Sequence, residues 1–248
     1  MPRTQSAVDE RLEQLLQNEE FPPPPEFAAR AKVRDQAVYE KAAADGPAWW
    51  ADQARQRLDW QTPFSSVLDD SNPPFYSWFA DGRLNASYNC LDRHVEAGHG
   101  DRVAFHWRGE EGEERDVTYA QLLADVQRLA NGLKERGVRK GDVVGIYLPM
   151  IPEVVVAMLA CARIGAPHNV VFGGFAPGSV RERLDVSDAK ALITADGARR
   201  KGKTAEVKAA LDEGIAGLPG LETVVVVRAT GSTCPMKAER DVWYHELL

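Results

Sequence analysis

Four short apolar runs constrain this chain more than anything else in it, at residues 143–148, 168–172, 191–194 and 223–227. None shows the polar alternation of a strand with one wet face, so each reads as a strand buried on both sides. The stretches between them read as helices at about 152–164, 177–187 and 204–215. Apolar strands separated by helices predict parallel pairing with crossovers. Pro152 and Pro177 stand near first helical turns, where a missing N–H costs little. The expected fold is α/β, an open and mostly parallel sheet with helices on both faces.

Upstream of these runs the pattern is regular from about residue 85. Residues 85–99 read as a helix, and 103–108 and 115–118 as strands around a turn at 109–112. Tyr119, Leu122, Leu123, Val126, Leu129, Ala130 and Leu133 then share one helical face. Thr118 and Gln121 have the spacing of a capping box at its start, and Gly137 ends it. Residues 26–57 read as helix interrupted by Gly46-Pro47, and prolines at 22–25 impose an extended lead. Residues 1–20 are polar, with apolar spacing that suggests one short amphipathic helix. From 59 to 81 the chain is aromatic and turn-rich (Trp60, Phe64, Phe75, Tyr76, Trp78, Phe79), an irregular arm whose rings need something to pack on. The expected organisation is a lead over 1–25, a helical and irregular extension over 26–100, and an α/β unit over 101–248.

Composition narrows the function. A net charge of -7 argues against a nucleic-acid surface, which wants a basic face. The three cysteines Cys90, Cys161 and Cys234 match no zinc spacing and cannot all pair, so a reducing cytoplasm is the simplest setting. The first residues lack the charged lead and apolar core of a signal peptide, and no apolar run approaches the roughly 20 residues of a membrane helix. There is neither a G-x-x-x-x-G-K-[ST] loop nor a G-x-G-x-x-G fingerprint, and no serine sits in a nucleophile elbow.

Two loops carry candidate chemistry, because ligands of an open α/β sheet gather beyond the carboxyl ends of its strands. Phe172-Gly173-Gly174-Phe175 follows the second apolar run. Its glycines permit close backbone approach and its rings could flank a flat base, or the glycines serve only a tight turn. The second loop follows the third run and places Arg199, Arg200, Lys201 and Lys203 ahead of an expected helix start at Thr204. Such cations suit a phosphate, and they equally suit a solvated surface loop. His168 before an apolar strand reads as a core residue. Cys90 and His94 lack companion metal ligands, and Glu110, Glu111, Glu113, Glu114 and Asp116 read as a solvated hairpin tip. We expect no metal site and no catalytic residue.

Several longer segments resemble the acetyl-CoA synthetase family of AMP-forming ligases, in the adenylate-forming superfamily. They are NPPFYSWFADGRLNASYNCLDRH at 72–94, YLPMIPEVVVAMLACARIGAPHNVVFGGFAP at 147–177, LITAD with the basic loop after it, and RDVWYHELL at 240–248. The resemblance implies activation of acetate with Mg-ATP to an acetyl-adenylate, followed by transfer to the thiol of CoA. It implies that Phe172, Gly173 and Gly174 line the site of the CoA nucleotide, and that Arg200 and Lys203 reach its phosphates. Lys201 stands where the family usually has glycine, and Lys203 where arginine is frequent. The family's ATP phosphate loop, acyl pocket, ribose-binding aspartate and catalytic lysine have no counterpart in the 248 residues. The expectation is therefore one wall of a CoA site, with ATP and magnesium held elsewhere in the ligase, and no activity from this chain alone. Its partners would be those substrates, the remainder of the ligase N-terminal domain and its C-terminal domain. A CoA-binding or protein-interaction module, or a ligase for propionate or another short acid, are the alternatives.

Overall fold

The structure, a computed structural model, describes residue 16 and residues 22–248. The helix expected within 1–20 otherwise lies outside the described residues. The chain divides into two units, one formed by residues up to Arg57 together with Val67–Trp78, the other by Leu58–Ser66 and Phe79–Leu248.

In the first unit the helical stretch is three helices, α1 (Pro25–Arg30), α2 (Ala37–Ala44) and α3 (Gly46–Arg57). Gly46-Pro47 opens α3, where proline suits the first turn, and the Asp45 carboxylate accepts from the Ala48 amide at 3.0 Å. An unforeseen break separates α1 from α2, where Asp35 turns back on the Ala37 amide. Strands β1 (Leu68–Asp69) and β2 (Ser77–Trp78) pair antiparallel. Phe75, Tyr76 and Trp78 are exposed, so the expectation that all six arm aromatics are packed away holds only in part.

The other three, Trp60, Phe64 and Phe79, form a ring cluster in the second unit with centroids 4.5 to 5.8 Å apart. Residues 86–99 are helical as expected, although through two wide turns at Tyr88–Asp92 and Val95–His99. Next come β3 (Val103–Arg108) and β4 (Glu114–Thr118), an antiparallel hairpin, and then α4 (Tyr119–Glu135). The α4 N-terminus carries the full capping box of Thr118 and Gln121.

The main sheet is parallel and five-stranded, its strands lying in the order Asp241–Trp243, Thr223–Val227, Ala189–Ala195, Val143–Ile146 and His168–Val170. Its elements along the chain are β5 (Val143–Ile146), α5 (Glu153–Ile164), β6 (His168–Val170), α6 (Pro177–Val186) and β7 (Ala189–Ala195). Then follow the hairpin strands β8 (Gly197–Arg200) and β9 (Lys203–Glu206), α7 (Val207–Gly214), β10 (Thr223–Val227), β11 (Asp241–Trp243) and α8 (Tyr244–Leu247). Alternate residues of the strands feed two cores. Val144, Ile146, Ile193 and Val225 pack with α4 and α5, whereas Leu192, Val224 and Val226 pack with α6 and α7. This is the α/β architecture read from the sequence, with helices on both faces and with β11 as an added edge strand.

One expectation is corrected. The basic segment is no loop before a helix at Thr204; it is the β8–β9 hairpin, and α7 starts at Val207. Lys201 and Gly202 form the turn with φ of 52° and 69°, the two positive values that a tight hairpin turn demands. Positive φ is nearly free for glycine and costs roughly 1–2 kcal/mol for other residues. That is a backbone reason for glycine at position 201, where this chain has lysine.

The C-terminal segment is tied to α7 by charge. Lys208, fully buried, donates to Asp212 at 2.5 Å, to Asp241 at 2.7 Å and to the Pro235 carbonyl at 3.1 Å. Arg240 closes the square on both carboxylates, each at 2.5 Å. Every buried charge here has an opposite partner, as low-dielectric burial requires.

Candidate functional site

The chain runs from β5 to β6 on one side, then returns to place β7 on the other side of β5. Crossovers leaving β5 and β7 therefore diverge, and a crevice opens at their carboxyl ends. A cleft of about 220 Å³ lies there, lined by Pro149, Met150 and Ile151 after β5, Ala198 and Arg199 after β7, and Ala229 and Thr230 after β10. The β3–β4 hairpin supplies the remaining wall with Trp107, whose indole N–H donates to the Met150 carbonyl at 2.8 Å. Sequence reasoning missed this cleft, because Trp107 and Met150 are distant along the chain and Trp107 belongs to no motif.

Asp196 organises the same edge. Its Oδ1 accepts from the amides of Gly197, Ala229 and Thr230 at 2.7, 2.8 and 3.0 Å, joining the ends of β7 and β10. Three backbone donors on one oxygen make this buried carboxylate a rigid peg, while its Oδ2 is buried without a hydrogen-bond partner. Its signal in the sequence was the lone acid ending an apolar run, in LITAD.

Beside the cleft, the two candidate loops come together. The structure places the Arg200 guanidinium over the Gly174 backbone, with Nη1 only 3.6 Å from where a Cβ on that glycine would stand. Phe172 is 65% exposed and meets Phe175 edge-on, with centroids 5.9 Å apart. Arg183 covers the Phe175 ring at 4.5 Å, a cation–π contact that orients it. The loop is anchored below by Tyr147, whose buried hydroxyl donates to the Phe175 carbonyl at 2.8 Å. Burial pushes the Tyr147 phenol up from its ordinary range, so it remains a neutral donor.

The paired glycines have different reasons. A Cβ on Gly173 would stand 2.7 Å from the Leu148 carbonyl oxygen, so that residue is required by backbone packing. Gly174 faces Phe172 and Arg200 instead, on the outer side of the turn.

The four cations of the basic hairpin are not equivalent. Arg199 is held by Glu111 and Glu113 of the β3–β4 tip, and the Lys201 amide donates to Glu110 at 2.6 Å. The acidic tip is thus no idle solvated loop. Among the described residues, no carboxylate pairs with the side chains of Arg200, Lys201 or Lys203. Arg200 and Lys203 are cross-strand partners, both exposed. The arrangement is an aromatic platform beside an uncompensated cationic edge.

The remaining candidates fall elsewhere. His168 is half-buried at the amino end of β6, away from the ligand edge. Cys90 is exposed, and His94 packs on the Tyr119 ring at 5.3 Å. Cys161 is buried in α5, its thiol pushed up to about 12 by desolvation. Among the described residues no three metal-ligating side chains gather, and no helix is long and apolar enough to cross a membrane.

This fold and edge place the chain among known proteins. It belongs to the AMP-binding enzyme family, whose signature covers residues 91–244. Residues 35–90 match the family described as acetyl-coenzyme A synthetase N-terminus. The chain is 55% identical to the acetyl-coenzyme A synthetase of Streptomyces avermitilis over 96% of its length and 36% of the relative's. It is 53% identical to that of Rubrobacter xylanophilus, over 92% of this chain and 35% of the relative. Identity to the Mycobacterium tuberculosis enzyme is 52%, with the same coverage. The chain thus spans about a third of the length of the curated relatives it matches.

Proposed function

We propose that this chain is the N-terminal region of an AMP-forming acetate–CoA ligase, the α/β unit over 101–248 being its first subdomain, and that it contributes one wall of the CoA nucleotide site. The observation that carries this reading is the Arg200 guanidinium lying over Gly174 beside the exposed Phe172 ring. An exposed ring offers a stacking face to a base, and a guanidinium offers a planar fork to a phosphate. Phe172 and Phe175 would flank the adenine, Gly174 would let the nucleotide approach the backbone, and Arg200 and Lys203 would meet phosphate oxygens. Gly173 serves the same wall by letting the turn pack under Leu148. Lys203 gives a point charge and Arg200 the directional contact.

Acetate, ATP with magnesium, and CoA would be the substrates of the whole ligase. We assign no magnesium ligand and no bond-making group to this region of the ligase. By itself the chain is proposed to give no acetate-dependent AMP formation. Calorimetry with CoA tests the site: Arg200→Ala weakens binding about 10-fold, the loss of roughly 1.4 kcal/mol expected for one charge-assisted contact. An unchanged affinity would remove Arg200 from the site.

A further inference from the structure

We propose that the acidic β3–β4 tip is the positioning element of the basic hairpin: Glu110, Glu111 and Glu113 hold Arg200 and Lys203 where a phosphate would meet them. The inference rests on the CoA reading above and extends it to residues outside the nucleotide wall.

The β8–β9 hairpin needs such a support. Two-stranded hairpins are marginal in water, and every residue of β9 is exposed. Its turn forces Lys201 into positive φ, which costs free energy at the position that sets the direction of both neighbours. The base of the hairpin is secured, since Gly197 is held by Asp196 and packs against Thr230. At the far end β8 and β9 pair only with each other, as far as Arg200 and Lys203. There the β3–β4 tip reaches across. Glu110 accepts the amide of the strained Lys201 at 2.6 Å, and Glu111 and Glu113 together grip Arg199, next in chain to Arg200.

The geometry separates the cations by role. On adjacent strand positions, side chains point to opposite faces, so Arg199 is turned to the acidic tip while Arg200 is turned to Gly174. Locking Arg199 on one face thereby orients Arg200 on the other. The tip is in turn anchored at its own root by the Trp107 indole on the Met150 carbonyl. A chain of contacts thus runs from the end of β5, through the tip, to the phosphate-facing edge. An isolated surface ion pair is worth little, whereas here two carboxylates share one guanidinium and a third caps the turn. Arg199 is a positioning residue in this scheme.

The test compares four variants of the 248-residue chain at low salt: Glu110→Ala/Glu111→Ala/Glu113→Ala together, Arg199→Ala, Arg199→Lys and Arg200→Ala. Amide hydrogen exchange, CoA affinity and the global unfolding midpoint are measured for each. We expect the triple variant and Arg199→Ala to speed exchange at residues 201–204 and to weaken CoA binding about 3- to 10-fold, with the midpoint unmoved. Arg199→Lys restores most of both. Unchanged exchange at 201–204 in the triple variant overturns the proposal. So does faster exchange with CoA affinity intact, since the tip would then be structural only. If Arg200→Ala leaves CoA affinity unchanged, the nucleotide reading itself fails, and that result is separate from the exchange measurement.

Discussion

The hydroxyl of Tyr147, at the end of β5, donates to the main-chain carbonyl of Phe175 at 2.8 Å. This bond ties the aromatic turn after β6 to the end of β5, the strand between β6 and β7. Tyr147→Phe keeps the ring and leaves that carbonyl without its donor. We expect a loss of about 1 kcal/mol in unfolding free energy. Amide exchange at residues 172–175 should rise, because the turn would have lost its anchor. Protection equal to wild type would show that packing alone holds it.

The two turn glycines should respond differently to alanine. At position 173 the added methyl meets the Leu148 carbonyl at 2.7 Å, a backbone atom that cannot step aside. Gly173→Ala should cost about 1–3 kcal/mol, the range for overpacking. At position 174 the methyl meets the Phe172 ring and the Arg200 guanidinium, both mobile side chains. Gly174→Ala should leave the denaturant midpoint nearly unchanged while weakening CoA binding. Equal destabilisation by the two would refute the separation of roles.

The buried square around Lys208 makes stability depend on pH. Burial alone would raise the Asp241 carboxyl, but hydrogen bonds from Arg240, Lys208 and the Lys237 amide outweigh it and hold the group below the usual carboxylate range. The folded value thus lies below the unfolded one, about 3.9. Its contribution is complete above roughly pH 4 and is lost as pH falls through the folded value. Urea midpoints measured from pH 7 to pH 2 should fall in that acid window. Lys208→Met, which leaves two carboxylates buried around one arginine, should cost about 3–5 kcal/mol at pH 7. A neutral effect there would show that Arg240 suffices.

Glu153 works in the opposite direction. Desolvation at the start of α5 raises its pKa above the usual carboxylate value. The folded state then holds the proton to higher pH than the unfolded chain, so stability declines as pH climbs from the unfolded value through the folded one. Glu153→Gln should be more stable than wild type at pH 7, with the advantage vanishing near pH 4. The same advantage at both pH values would exclude the carboxylate as its cause.

Where the sequence was informative, one strong local signal decided the outcome. The β-branched run at 223–227 can only be a buried strand, and Thr118 with Gln121 satisfies the first amides of α4 as their spacing predicts. Phe172, Gly174 and Arg200 stood out by composition, and they meet in space because both loops leave the same edge of a parallel sheet. The basic hairpin was hidden. GARRKGKTAE has no apolar alternation, and its pairing depends on a strained turn and on glutamates some 90 positions upstream. The cleft was hidden for the same reason, since Trp107 reaches Met150 only through tertiary contact. The cost of positive φ at Lys201 was legible only after the backbone was known.

The most direct test of the central claim is an amide NMR titration of the chain with CoA. Binding at the proposed wall predicts saturable shift changes at Gly173, Gly174, Phe175 and residues 201–204, all needing about 10-fold more CoA in Arg200→Ala. Changes confined to the cleft around Trp107 and Met150, or no saturable change at all, would contradict it.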